Sequence, residues 1–231
     1  MGWVWIGYVK QWAANMKISI LCTDPNHPVV SSLQTWITDM SSKGHLTMLD
    51  FDKADLQGGD ILFLVSCSQV IRDAERKKYK ATLVLHASDL PKGRGWSPHI
   101  WSILYGANQI TVSLLEASEP VDSGAIWLKT KFTLEGHELL PEINAKLFAA
   151  ELFLMTQAVE QFETIKPIQQ IGDPGPYMPK RLPADSRLEP NKTIAEQFNI
   201  LRVVDSQRYP AFFNYRGKRY LIKIEKDENG Q

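Results

Sequence analysis

The apolar run Ala81 to His86 (ATLVLH) ends in a histidine and passes into a loop rich in turn residues, Ala87 to Trp96 (ASDLPKGRGW). Imidazole titrates near neutrality, so a histidine placed there can take up a proton and return it. A second run, Gln109 to Leu115 (QITVSLL), leads into Glu116 to Ile126 (EASEPVDSGAI), where Asp122 stands in a Ser-Gly turn. A carboxylate beside an imidazole raises its basicity, and the two can share one proton. The plainer reading is a histidine bonded to a loop carbonyl and an aspartate chosen for its turn propensity. Lys92 and Arg94 could meet a diphosphate, since guanidinium offers a planar fork to phosphate oxygens. Tyr209, Phe212 and Phe213 could stack on a nucleotide base or form the core of a small C-terminal unit. His27, His45, His99 and His137 have no partner pattern and receive no chemistry.

Ligands of open α/β sheets bind outside the carboxyl ends of the strands, so such a pair calls for a sheet to present it. From Met16 the pattern supplies one. Lys17 to Cys22 (KISILC) predicts a strand, and Pro28 to Ser41 predicts a helix with Val29, Leu33, Trp36, Ile37 and Met40 on one face. Asp60 to Val65 and Ala81 to His86 are almost wholly apolar, as strands of a parallel sheet covered on both faces are. Ser97 to Tyr105, with Pro98 in its first turn, and His137 to Thr164 predict further helices. Strand, helix, strand, repeated, gives an α/β fold with a doubly wound, mostly parallel sheet over residues 16–165. Residues 166–190 hold six of the thirteen prolines and predict a linker loop over a surface. Residues 191–231 predict a small helix and hairpin unit: Thr193 and Glu196 form a capping box, and Ala211 to Tyr215 pairs with Arg219 to Ile224. Residues 1–15, rich in tryptophan and ahead of the second methionine, predict an extension or a peripheral helix.

Lys plus Arg number 26 and Asp plus Glu number 26, so the formal net charge is zero. That balance argues against a protein that neutralises many phosphates of a nucleic acid. Cys22 and Cys67 are too few for a disulfide framework and predict reduced thiols. The chain has no apolar run of the ~18 residues that a membrane span needs and no leader pattern, which predicts a cytoplasmic protein.

The residues around the candidate pair resemble the formyltetrahydrofolate-dependent formyltransferase family. The match runs through His86, Ser88, Leu90, Pro91, Arg94, Gly95, Pro98 and Trp101, then Asp122, Gly124 and Ile126, across most of residues 17–160. Lys180 to Arg187 (KRLPADSR), Phe198 to Asp205 and Tyr209 to Phe213 are similar to the branch that formylates nucleotide-linked amino sugars. The methionyl-tRNA branch adds a further β-barrel for which this length leaves no room.

The resemblance implies a formyltransferase-type Rossmann-like core, 10-formyltetrahydrofolate as formyl donor, no metal, and an amino sugar on a nucleotide as acceptor. Such products serve cell-surface polysaccharides such as the O-antigen of lipopolysaccharide. It implies His86 and Asp122 as catalytic residues. Folate contacts would come from Phe63, Leu64, Val65, Ser66, Ser88, Leu115, Val121 and Asp122, and acceptor contacts from Lys92, Arg94, Gly95, Trp96, Tyr209 and Phe212. It also points to a homodimer joined through the C-terminal unit, with neither nucleic acid nor membrane as partner. One departure stands out: the family's Asn two residues before the histidine is Val84, so Ser66, Ser68 and Gln69 become candidates for the missing donor. Two alternatives stay open: a formyltransferase acting on another amine, such as methionyl-tRNA or a small ribonucleotide amine, and a binding protein of the same fold that has lost turnover.

Overall fold

A computed structural model describes residues 15–227, so the reading of residues 1–15 as an extension lies almost wholly outside the described residues. The apolar runs become the middle of a six-stranded sheet. Its strands are β1 (Lys17–Leu21), β2 (Leu46–Asp50), β3 (Gly59–Leu64), β4 (Tyr79–His86), β5 (Gln109–Glu116) and β6 (Ile126–Thr133), in the order β2-β1-β3-β4-β5-β6. The first four pair in parallel, β5 runs antiparallel to β4, and β6, antiparallel to β5, runs in the direction of the first four. This is the expected mostly parallel α/β sheet.

The reversal at β5 corrects the idea of two neighbouring strand ends. Glu116 lies opposite Leu83, three residues short of His86, so Asp122 reaches the histidine only because the loop between β5 and β6 folds back. Two strands escaped the sequence reading. β2 is a partly exposed edge, and β6 alternates half-buried and exposed residues as an edge strand with one open face does.

Helix α1 (Val29–Ser42) buries Val29, Leu33, Trp36 and Met40, as its spacing predicts, and the short α2 (Asp73–Arg76) and α3 (Pro98–Leu104) follow in sequence. The long α4 (Leu140–Glu160) packs beside α1 over one face of the sheet, covering Ile18, Ile20, Phe63, Leu83, Leu85, Val112 and Leu114. Trp36 meets Phe63 edge to face at 6.0 Å and donates its indole N–H to Thr156 at 2.8 Å. The opposite face carries a smaller cluster around Leu21, Leu62, Leu64 and Tyr79, bordered by half-buried Cys67, Val84 and Ala117. Both cysteines are free thiols. No helix among the described residues is long and apolar enough to cross a membrane.

One core residue opposes the fold. Glu151, on the inner side of α4, is 6% exposed and its Oε2 has no hydrogen-bond partner among the described residues. Burial raises its carboxyl to about 8. The folded state therefore holds a proton that the unfolded chain releases near pH 4.5, and stability falls as pH rises from there through about 8. Glu151→Gln should raise the melting temperature at pH 8 and change it little at pH 4. Equal shifts at both pH values would contradict this account.

The C-terminal unit is α5 (Ile194–Arg202) and a hairpin of β7 (Ala211–Tyr215) and β8 (Lys218–Ile222). The capping box forms: Thr193 Oγ1 accepts from the Glu196 N–H at 3.2 Å, and Glu196 accepts from the Thr193 N–H at 2.7 Å. The hairpin turns on Arg216 and Gly217, both at positive φ, the tight geometry that suits the twist of paired strands. The hairpin's inner residues Ala211, Phe213 and Ile222 pack with Leu188, Phe198 and Leu201. Val203 joins Ile100, Ile103 and Ile143 of the α/β body, and the buried Arg202 pairs with Glu138 at 3.2 Å. The unit is thus anchored on its own chain, while Tyr215, Tyr220 and Leu221 stay exposed on the hairpin.

Candidate active site

β4 delivers His86 at its last residue, buried, with Nε2 2.9 Å from the carbonyl oxygen of Gly93. Its Nδ1 faces Asp122 Oδ1 at 3.6 Å. The other oxygen of Asp122 accepts from the Gly95 N–H at 2.9 Å. One loop, residues 87–97, therefore holds the histidine through Gly93 and the carboxylate through Gly95. Both ring nitrogens face oxygens. A neutral imidazole can donate to only one of them, so the ring that donates to Gly93 presents its Nδ1 lone pair towards Asp122.

The proline-rich segment is a largely exposed loop that also pairs with the loop carrying Arg94 and Trp96. Met178 N–H donates to Arg94 O at 2.7 Å and Trp96 N–H to Met178 O at 3.0 Å, and Ile168 pairs with Ile126 at the start of β6. Gly95 permits this approach. At φ +112° an added Cβ would lie 2.3 Å from Met178 O and 3.0 Å from the Tyr177 ring. Tyr177 consequently sits beside Asp122; burial, then the charge of Asp122, pushes its phenol up. Trp96 is partly exposed, with Lys180 Nζ 5.2 Å from the ring centroid.

The remaining expected residues fall into groups. Phe63, Val65 and Leu115 are fully buried in the sheet, so they can offer a ligand only backbone. Leu64 lies in the opposite cluster, and Val121 is 54% exposed next to Asp122. Ser88 is buried with no partner for its hydroxyl among the described residues. It lines a cavity of about 180 Å³ with Gly93, Lys92, Ser102, Gln109 and Thr111. Arg94 Nη2 donates to Gln170 at 3.1 Å, and Lys92 is exposed. Tyr209 is tied by its backbone to Asp205 and Ser186. Phe212 needs correcting: it is 6% exposed and the Arg219 guanidinium lies 3.5 Å over its ring, so no ring face is left for a base.

Val84 is half-buried among Leu64, Cys67 and Ala117, on the same face of β4 as His86. Two of the three proposed replacements are otherwise engaged. Gln69 accepts from the Lys53 N–H at 2.9 Å and donates to Asp52, and Ser68 contacts the Thr23 hydroxyl at 3.0 Å. Ser66, at φ +49°, is exposed. Val84→Asn should leave the rate unchanged or lower it, because an amide placed among these apolar neighbours must be desolvated. A clear gain in steady-state rate would contradict this.

Three residues near the pair escaped the sequence reading: His99, Gln170 and Tyr177. Burial, then the neighbouring His86 and His27, depress the basicity of His99 to about 4, and its Nδ1 is buried without a partner among the described residues. Its one signal was position, four residues beyond Gly95 at the start of α3. Gln170 and Tyr177 lay in a segment whose prolines argued for irregular structure and nothing more.

The formyl transferase family model matches residues 41–159, about half of the chain, including both His86 and Asp122. The chain belongs to the formyl transferase family. Methionyl-tRNA formyltransferase of Rickettsia felis is 31% identical over 170 residues, 71% of this chain and 54% of that protein. The chain thus spans about half the length of curated methionyl-tRNA formyltransferases that it matches. The formyltransferase fold recurs in solved structures. Methionyl-tRNA formyltransferase from Clostridium thermocellum superposes with a TM-score of 0.77 at 22% identity, covering 94% of this chain and 95% of that one. HypX from Aquifex aeolicus in complex with tetrahydrofolic acid gives 0.76 at 24% identity, over 94% of this chain and 40% of its own. A sugar N-formyltransferase from Shewanella gives 0.68 at 15% identity, over 92% of this chain and 98% of its own. At these identities the likeness is one of fold. The Clostridium chain is matched almost end to end, so length does not separate the two branches.

Proposed function

We propose that this chain transfers a formyl group from 10-formyltetrahydrofolate to the amine of a nucleotide-linked amino sugar in the cytoplasm. The observation that carries the transfer chemistry is the His86–Asp122 pair, buried and oriented by Gly93 and Gly95. The half-buried apolar residues Cys67, Val84 and Ala117, with exposed Val121 nearby in sequence to Asp122, suit the flat face of a folate heterocycle. When bound, the donor supplies a formyl carbon already activated by its arylamine nitrogen.

His86 keeps one proton on Nε2 for Gly93 and uses Nδ1 as the base. As the acceptor amine attacks the formyl carbon, its proton passes to Nδ1, and the resulting imidazolium donates to Gly93 O on one side and faces Asp122 on the other. Both N–H groups of the imidazolium are turned to Gly93 and Asp122, so its positive charge offsets the negative charge that develops on the formyl oxygen through space and not by a hydrogen bond. His86 then returns the proton to the departing nitrogen, and Asp122 keeps its charge throughout. Alignment of the two reactants supplies much of the remaining acceleration.

The sugar acceptor is supported by the zero net charge and by the exposed Trp96, Tyr177 and Lys180 beside the pair, which offer rings and a cation to a sugar nucleotide. Methionyl-tRNA is the second reading, favoured by the 31% identity to the Rickettsia protein. Competing amino-sugar nucleotides against methionyl-tRNA for limiting formyl donor separates them: the proposal expects the label on the sugar, and label on the tRNA would replace it with the second reading.

Leu221, 65% exposed on the hairpin face opposite the packed residues Ala211, Phe213 and Ile222, marks the surface we assign to a homodimer. Light scattering should give twice the chain mass, and Leu221→Lys should shift it to the monomer. A monomer mass for the unaltered protein across a wide dilution would remove the assignment.

A further inference from the structure

Gln170, in the proline-rich strap, joins the two loops that carry the catalytic pair. Its Nε2 donates to the carbonyl oxygens of Asp122 at 2.9 Å and Gly124 at 2.8 Å, while its Oε1 accepts from Arg94 Nη2 at 3.1 Å. A carboxamide has two N–H donors on one side and an acceptor on the other, and all three are spent here. The reversed amide would set its oxygen against two carbonyls and its N–H group against a guanidinium, so the orientation is fixed by its partners. Arg94 is one residue from Gly95, whose N–H holds the Asp122 carboxylate. Asp122 itself stands at φ +62°, a left-handed conformation that a residue with a Cβ keeps when its surroundings impose it. The turn cannot simply settle elsewhere on its inner side, because Gly124 already approaches Glu116 O so closely that an added Cβ would lie 1.9 Å away.

We propose that Gln170 is a positioning residue for formyl transfer: by clamping the Asp122–Gly124 turn against Arg94 it keeps the Asp122 carboxylate facing His86. Gln170 touches neither the histidine nor the carboxylate oxygens, so its effect passes through Asp122. The consequence for rate rests on the transfer reading above. The consequence for the geometry of the turn does not.

Two side chains separate the clamp from bulk. Gln170→Met keeps the length and removes all three polar contacts. Gln170→Glu keeps an acceptor for Arg94 but turns lone pairs towards two carbonyls. Displacing a catalytic group by about 1 Å costs on the order of 10²-fold, so both variants should lose about 10- to 100-fold in kcat with KM for donor and acceptor little changed. In an Asp122→Asn background the same change should cost nothing further, since residues acting through one group are not additive. Amide hydrogen exchange supplies a readout that needs no turnover. In Gln170→Met the Gly95 N–H should exchange faster while amides of β1 and β3 keep their protection. An unchanged kcat, a full rate in Gln170→Glu, losses that multiply with Asp122→Asn, or an unchanged Gly95 amide would each overturn the assignment. If the unaltered protein transfers no formyl group, the proposed function fails and the Gly95 exchange alone decides the clamp.

Discussion

His86→Asn should keep its fold, by circular dichroism and melting temperature, and lose between about 10² and 10⁴-fold in turnover, the range for removing a general base. The side chain stands at the carboxyl end of the interior strand β4, and its one direct hydrogen bond among the described residues is to the Gly93 carbonyl, so the structural loss is on the order of 1 kcal/mol. The chemical loss is far larger, because an amide has no lone pair able to hold the amine's proton near neutrality. Asp122→Asn should lose rate as well, since a neutral amide no longer balances the imidazolium. Unchanged turnover in His86→Asn at neutral pH would remove the catalytic assignment. A fall in melting temperature with full activity in Asp122→Asn would restore the reading of that residue as a turn former.

Arg202→Ala should be the most destabilising single change on the surface where the C-terminal unit meets the α/β body. Arg202 is 2% exposed; its Nε donates to Glu138 O at 3.1 Å and its Nη2 to Glu138 Oε2 at 3.2 Å. Glu138 also accepts from Lys146 and from the N–H groups of Glu135 and Gly136. Burial opposes its ionisation, but those hydrogen bonds outweigh it and hold the carboxyl at about 2. Arg202→Ala removes two hydrogen bonds to Glu138 and empties a buried site, while Glu138 keeps Lys146 at 2.7 Å and its backbone donors, so the loss should be about 1.5 to 3 kcal/mol. Chemical denaturation would read that loss, and a change below about 1 kcal/mol would show the pair to be no better than a surface one. The pH dependence has a definite sign. A carboxyl whose folded value is depressed stabilises the fold above its unfolded value near 4.5, and that stability fades as pH falls from there through about 2.

How much of this was legible followed from how each residue is held. The parallel strands announced themselves because both of their faces are covered, leaving Ile61 to Leu64 of β3 and Leu83 to Leu85 of β4 wholly apolar, and His86 was conspicuous as the break in such a run. β6 was hidden because an edge strand with one open face, IWLKTKFT, mixes cations with apolar residues. The α5 capping box was local, three residues apart, and could be read. Arg202 could not: its partner lies 64 residues away, and an arginine near a helix end ordinarily faces water. Asp122 was found as a turn residue, but its approach to His86 depends on the reversal of β5 and the folding back of the next loop. Gln170 and Tyr177 reach the site by tertiary approach to Gly95, where the absence of a Cβ is the enabling feature and leaves no periodic trace.

The central claim is that the His86–Asp122 pair turns over formyl donor even though Val84 stands where a hydrogen-bond donor would help. Mixing the protein with 10-formyltetrahydrofolate and an amino-sugar nucleotide, and following tetrahydrofolate release together with the mass of the acceptor, tests it most directly. The account predicts tetrahydrofolate and formylated sugar nucleotide in equal amounts over many turnovers, with both lost in His86→Asn. Donor that binds yet yields neither product, across a panel of amino-sugar nucleotides and methionyl-tRNA, would contradict it and leave a binding protein of the same fold.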